Sequence, residues 1–135
     1  MIMDKNKSAF KLQGIPHIYW LNLDADESRR QYMEQQFDYW EITNHTRISG
    51  FDGRDDDVAY HLKGRVPDNV TPGELGCCLS HLKAIKHFYE ETDDDYCMIV
   101  EDDLMSCKSL ERLCKKVEDI NVVRICENGK NFKKI

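Results

Sequence analysis

YCMIVEDD, residues 96–103, decides the fold class. Tyr96 to Val100 form a continuous apolar run, as expected for a strand covered on both faces rather than one wetted on alternate side chains. The run ends abruptly in Glu101-Asp102-Asp103. Upstream, HIYWLNLD (17–24) is a second apolar and aromatic run, ending in Asn22 and Asp24. Two buried-type strands that finish in polar groups suggest a parallel sheet with helices packed on it.

Working outward, the segments between these runs carry helical signals. Ser28 is placed to cap a helix, with Gln31 three residues on, and that helix runs to about Tyr39 with Tyr32, Met33, Gln36 and Phe37 as its apolar stripe. A short strand is expected near residues 43–49. GFDGRDDD (50–57) reads as a loop from its Gly and Asp content. Residues 58–70 carry no decisive pattern. Thr71, Pro72 and Glu74 then give a capping box with proline at the first helical position. Leu75, Cys78, Leu79, Leu82, Ile85 and Tyr89 follow as one apolar stripe, and EETDDD (90–95) ends the helix. After the acidic triplet, a helix is expected over 106–116 and a last strand over 122–126, with a polar tail. The alternation of strand and helix predicts an α/β fold: an open, mostly parallel sheet with helices on both faces. Residues 1–14 read as a flexible lead-in and 15–135 as a single domain.

Composition agrees with a globular chain. It has 135 residues, 41% hydrophobic and 33% charged, with three prolines. The net charge of −6 disfavours non-specific nucleic-acid binding, which needs phosphate neutralisation by Lys and Arg. No run approaches the ~20 apolar residues of a membrane helix. The N-terminal residues lack the apolar core of a signal peptide, so the expected location is cytoplasmic. The six cysteines include no CxxC pair, and most lie in apolar contexts, where they read as small core residues.

Ligands of open α/β sheets bind outside the carboxyl ends of the strands. Two such ends carry suitable groups: Asn22 and Asp24, and Glu101 to Asp103. Three adjacent carboxylates repel one another, and a divalent cation would relieve that repulsion. Mg²⁺ or Mn²⁺ takes hard oxygen ligands, often one or two carboxylates plus substrate phosphates. With extended geometry, Glu101 and Asp103 would share one face and Asp102 the other. Alone, the triplet reads more simply as a solvated strand end. The run Asp93–Asp95 lies at the opposite end of the strand, roughly 25 Å away, and reads as a solvated turn. Arg29 and Arg30 open a helix, where cations oppose its dipole, which reads either as an anionic ligand nearby or as a solvated arginine. By spacing alone, His81 reads as a packed histidine beside the apolar stripe, Ser80 as surface, and Asp52-Gly53 as a turn.

Taken in order, IYWLNLDADESRR, FDG, TPGELGCCLSHLKAIK and YCMIVEDDL resemble glycosyltransferase family 25, over residues 16–104. That family includes bacterial lipooligosaccharide galactosyltransferases and collagen galactosyltransferases. The matching positions are Asn22, Leu23, Asp24, Arg29 and Arg30; Asp52 and Gly53; Gly73, Glu74, Gly76, Cys77, Ser80 and His81; and Glu101 to Asp103. The resemblance implies a glycosyltransferase-A-type, Rossmann-like fold. It implies a UDP-sugar donor, most often UDP-galactose, and inverting transfer to a glycan or protein hydroxyl. It further implies that Glu101 and Asp103 hold Mn²⁺ or Mg²⁺ against the diphosphate. Asn22, Asp24, Arg29, Asp52, Gly53, Ser80, His81, Glu101 and Asp102 would then build the nucleotide-sugar site. The family's catalytic domain continues well past its Glu-Asp-Asp motif, whereas here about thirty residues follow it. The chain therefore reads as truncated relative to the family, with no general base to nominate. Two alternatives stand beside the enzyme: an inactive nucleotide-sugar-binding or interaction module, and an Mg²⁺-dependent phosphatase suggested by Asp24-x-Asp26-x-Ser28 after an apolar strand.

Overall fold

A computed structural model describes residues 15–55, 57, 62, 65 and 68–104, together with the backbone of 123–125 and 132–134. Three parallel strands form the central sheet: β1 (Ile18–Asn22), β2 (His45–Ser49) and β3 (Met98–Glu101), in the order β2-β1-β3. Ile18 lies opposite His45 on one side and Met98 on the other. α1 (Glu27–Trp40) connects β1 to β2, and α2 (Pro72–Glu91) lies between β2 and β3.

β1 is central, and its alternation divides the core in two. Ile18 and Trp20 face Met33, Phe37 and Trp40 of α1, joined by Val100 of β3. Tyr19 and Leu21 face Ala84 of α2, joined by Ile48 of β2. All five β1 residues are buried, which is why Ile18 to Leu21 are apolar on both faces and the one polar residue, Asn22, is hydrogen-bonded. Helices therefore cover both faces, as expected from the sequence. α1 buries Met33, Gln36, Phe37 and Trp40, spaced i, i+3, i+4, i+7. It stops at Glu41, which adopts the left-handed conformation (φ 55°) usually left to glycine.

Four expectations are corrected. The cap of α1 is Asp26, whose carboxylate accepts from the Arg29 backbone N–H; Ser28 lies inside the helix. The buried face of α2 is Gly76, Ser80 and Ala84, while Leu82 (55% exposed), Ile85 (51%) and Tyr89 (84%) face outward. Small side chains let this helix approach the sheet closely, so the larger residues fall beside the contact instead of in it. Cys77 and Cys78 are exposed free thiols rather than core residues and Cys97 is half-buried, while Cys107, Cys114 and Cys126 lie outside the described residues. Finally, β4 (Val123–Ile125) pairs antiparallel with β5 (Phe132–Lys134) in a separate two-stranded sheet, so the 122–126 run does not extend the parallel one. The helix expected over 106–116 and the lead-in 1–14 lie outside the described residues.

The capping box of α2 is present in full. Glu74 accepts from the Thr71 backbone N–H at 2.8 Å, and Thr71 Oγ1 accepts from the Glu74 N–H at 3.2 Å.

Candidate functional site

A cleft of about 410 Å³ opens at the carboxyl ends of all three strands. That volume suits a small-molecule ligand. Asn22 and Leu23 enter it from β1, Gly50 to Arg54 from the loop after β2, and Glu101 to Asp103 from the end of β3. The N-terminal turns of both helices close it, through Asp26 and Arg29 of α1 and Gly73, Gly76 and Cys77 of α2. With β1 between β2 and β3, the chain crosses to opposite sides of the first strand, which makes this the topological switch point of the sheet. Two helix N-termini at one cleft favour an anionic ligand.

The strand ends are cross-braced by a buried polar network. Asn22 donates through Nδ2 to Asp102 Oδ2 (2.8 Å) and to the Asp26 carbonyl (3.1 Å). Its Oδ1 accepts from Arg47 Nε (2.9 Å), and its carbonyl accepts from Arg47 and from the Gly50 N–H. Asp102 also pairs with Arg29 at 3.2 Å. The anion suspected beside Arg29 is thus supplied by the protein itself. Asn22 and Asp102 are 2% and 8% exposed, and together they tie β1 to β3 and α1.

The 50–54 loop is docked onto α2 by absence of side chains. A Cβ on Gly53 would stand 1.7 Å from the Pro72 carbonyl oxygen, and one on Gly76 would stand 2.6 Å from that of Phe51. Ser80 fixes the same junction: its hydroxyl donates to the Gly76 carbonyl (2.6 Å) and accepts from the Phe51 N–H (2.8 Å). Ser80 is therefore a buried loop anchor, not the surface residue its spacing suggested. Beyond it, Asp52 receives two side-chain hydrogen bonds from Arg54 (2.9 and 2.8 Å), which hold its carboxyl at about 2.

The structure thus brings Asn22, Arg29, Asp52, Gly53, Ser80, Glu101, Asp102 and Asp103 to one cleft. Asp24 and His81 do not line it. Asp24 is 74% exposed and engaged by Arg47 (2.6 Å) and Ser49 (2.9 Å). Hydrogen bonds from Arg47, then from Ser49, lower its pKa. Half-buried His81 sits beside Cys77 and contacts the Cys77 carbonyl through Nδ1 at 2.9 Å. Cys77 donates to Glu101 Oε1 at 3.0 Å. Desolvation of its sulfur, reinforced by this carboxylate, pushes the thiol up to about 11 although the residue as a whole is exposed.

Arg47, Arg54 and Cys77 were not singled out as site residues from the sequence. Arg47 is signalled only weakly, as a long cation within the short β2 run. Arg54 directly follows the Asp-Gly turn, and Cys77 lies one helical turn before His81.

No helix among the described residues is long and apolar enough to cross a membrane. Comparison with curated proteins gives no match. The family model described as glycosyltransferase family 25 (LPS biosynthesis protein) matches residues 15–133. With that match spanning both the parallel sheet and every group at its cleft, the chain belongs to glycosyltransferase family 25.

Proposed function

We propose that this chain binds a UDP-sugar in the cleft and transfers its hexose, galactose first among the candidates, to a hydroxyl of a glycan or protein with inversion. The observation that carries the reading is the convergence of two helix N-termini, Arg29 and an acidic turn at the sheet's switch point. The helix ends and Arg29 favour the diphosphate. Arg29 keeps 58% of its side chain exposed while paired with Asp102, so it can face a ligand without leaving its partner.

The residues present fit a hard divalent cation. Asp102 is committed to Asn22 and Arg29, which leaves Glu101 and Asp103, both exposed, as the available carboxylates. Two carboxylates, completed by phosphate oxygens and water, form a normal set for Mg²⁺ or Mn²⁺. When bound, such an ion would offset the charge that develops on the departing nucleoside diphosphate. The chain's own residues do the positioning. Asn22 and Asp102 fix the β1 and β3 ends, and Gly53, Gly76 and Ser80 fix the loop that carries Asp52.

Calorimetric titration with UDP, with and without Mn²⁺, tests the donor site. Saturable binding that requires Mn²⁺ and disappears in Asp103→Ala is expected. Absence of UDP binding in both conditions would overturn the reading and favour an interaction module. Metal-independent binding would remove the cation from it.

A further inference from the structure

Glu101 belongs to a second constellation, and its donor atoms are of a different kind. Cys77 and His81 are one turn apart on α2, so their side chains share a face. Glu101, the last residue of β3, meets them from the sheet. A sulfur, a ring nitrogen and a carboxylate oxygen lie within 4.8 Å of one another. Among the described residues this is the one such group of three potential ligands. We propose that Cys77, His81 and Glu101 form a binding site for a borderline-soft divalent cation of the zinc type, with its remaining coordination position toward the cleft.

Geometry and donor chemistry both support this assignment. In a tetrahedral zinc site the metal–ligand lengths set ligand–ligand edges of roughly 3.3–3.8 Å. Here Cys77 Sγ stands 3.6 Å from His81 Nδ1 and 3.0 Å from Glu101 Oε1. Two edges of the triangle are thus close to the required length before any ion enters. Thiolate and imidazole select zinc-like ions over Mg²⁺ or Mn²⁺, which prefer an all-oxygen set. Three protein ligands with an open position is the arrangement of an accessible zinc site, not of a closed structural one. Cys77 and Glu101 both line the cleft, so an ion between them is reached from solvent. The 2.9 Å contact of His81 Nδ1 to the Cys77 carbonyl is given up when Nδ1 turns its lone pair to the ion. On binding, the thiol proton is released to solvent and the Cys77–Glu101 hydrogen bond is exchanged for two bonds to the ion.

The site shares Glu101 with the proposed donor site but no other ligand. A zinc-type ion here withdraws Glu101 from the hard-cation set, so the two ions compete through one carboxylate.

Titration with Co²⁺ in the absence of nucleotide tests the proposal. Cobalt reports thiolate ligation directly by a sulfur-to-metal charge-transfer band in the near ultraviolet, and Zn²⁺ should displace it stoichiometrically. Cys77→Ser should abolish the band. His81→Gln and Glu101→Gln should weaken Zn²⁺ binding by roughly 10–100-fold or more, since loss of even an outer-shell partner costs that much. Cys78→Ser and Asp103→Asn should leave both readouts unchanged. Each variant's melting temperature confirms that it is folded. A cobalt band that survives in Cys77→Ser, or equal loss in Cys78→Ser, would overturn the site. Mn²⁺-dependent UDP binding, measured separately on Asp103→Asn and Cys77→Ser, keeps failure of this proposal distinct from failure of the donor reading.

Discussion

At the scale of single residues, the molecule depends on polar groups that the protein itself satisfies. Asn22 is the clearest case. It donates to buried Asp102, accepts from Arg47, and leaves none of these bonds to water. Asn22→Ala would strip the buried carboxylate of one of its two side-chain donors, and should cost about 2–3 kcal/mol in chemical denaturation. Asp24→Asn, by contrast, alters an exposed pair and should leave the denaturation midpoint essentially unchanged. A large effect at Asp24, or none at Asn22, would mean that the network is misjudged. His45 gives a pH signature. It accepts from Trp20 Nε1 through Nδ1 (3.2 Å) and stacks on Phe37 at 4.0 Å. Burial, then the nearby His17, lowers its pKa from the ordinary 6.5, with Asp38 and Glu34 opposing weakly. The folded state thus takes up its proton later than the unfolded chain as pH falls. This contribution is full above pH ~6.5 and is lost as pH drops through the folded pKa. Denaturant midpoints should fall between pH 7 and pH 5, and His45→Gln should flatten that slope. The sequence showed Asn22 and Asp102 as chemistry-bearing groups but not as partners of each other, because their contact spans 80 positions and depends on how β1 and β3 are placed side by side.

At the scale of elements, local signals were legible where the physics is local. The Thr71-Pro72-Glu74 cap involves neighbours in the chain, so it could be read directly. The face on which α2 packs could not. Hydropathy weights large apolar residues, whereas this contact is governed by how closely backbones approach, and Gly76, Ser80 and Ala84 permit the approach. The same reasoning makes Gly76 a critical position. A methyl group there would meet the Phe51 carbonyl at 2.6 Å and the Gly53 nitrogen at 2.7 Å, both backbone atoms with no rotamer to escape into. Gly76→Ala should therefore displace the 50–54 loop from α2. It should lower the melting temperature and weaken UDP binding at least tenfold. Gly73→Ala, one turn earlier, meets nothing within 4 Å and should be tolerated. If the two variants behaved alike, close packing would not be what the Gly-Glu-x-Gly spacing preserves. The separate β4–β5 hairpin escaped the sequence reading for a related reason: a strand's period does not reveal which partner it takes.

At the scale of the whole molecule, the three-stranded core is organised around β1. Its odd and even side chains belong to different hydrophobic clusters, and both of its edges are hydrogen-bonded. The α/β class could be read from the sequence because a strand buried on both faces must be apolar throughout. The position of the site followed, since parallel strands deliver their polar ends to one side. This arrangement makes a definite prediction for hydrogen exchange. Amides of β1 should exchange only by global unfolding, and those of the Phe51–Arg54 loop by local opening at much lower free energy. Adding UDP with Mn²⁺ should then slow exchange together in three segments distant in sequence: Leu23–Arg29, Gly50–Arg54 and Glu101–Asp103. Asp93–Asp95, before β3, should be unaffected, because it lies at the opposite end of the sheet. Protection in one segment alone would place the ligand on a single loop. Protection at Asp93–Asp95 would put it at the wrong end of the sheet. Only simultaneous protection of all three strand ends is consistent with a ligand seated in the cleft at the switch point.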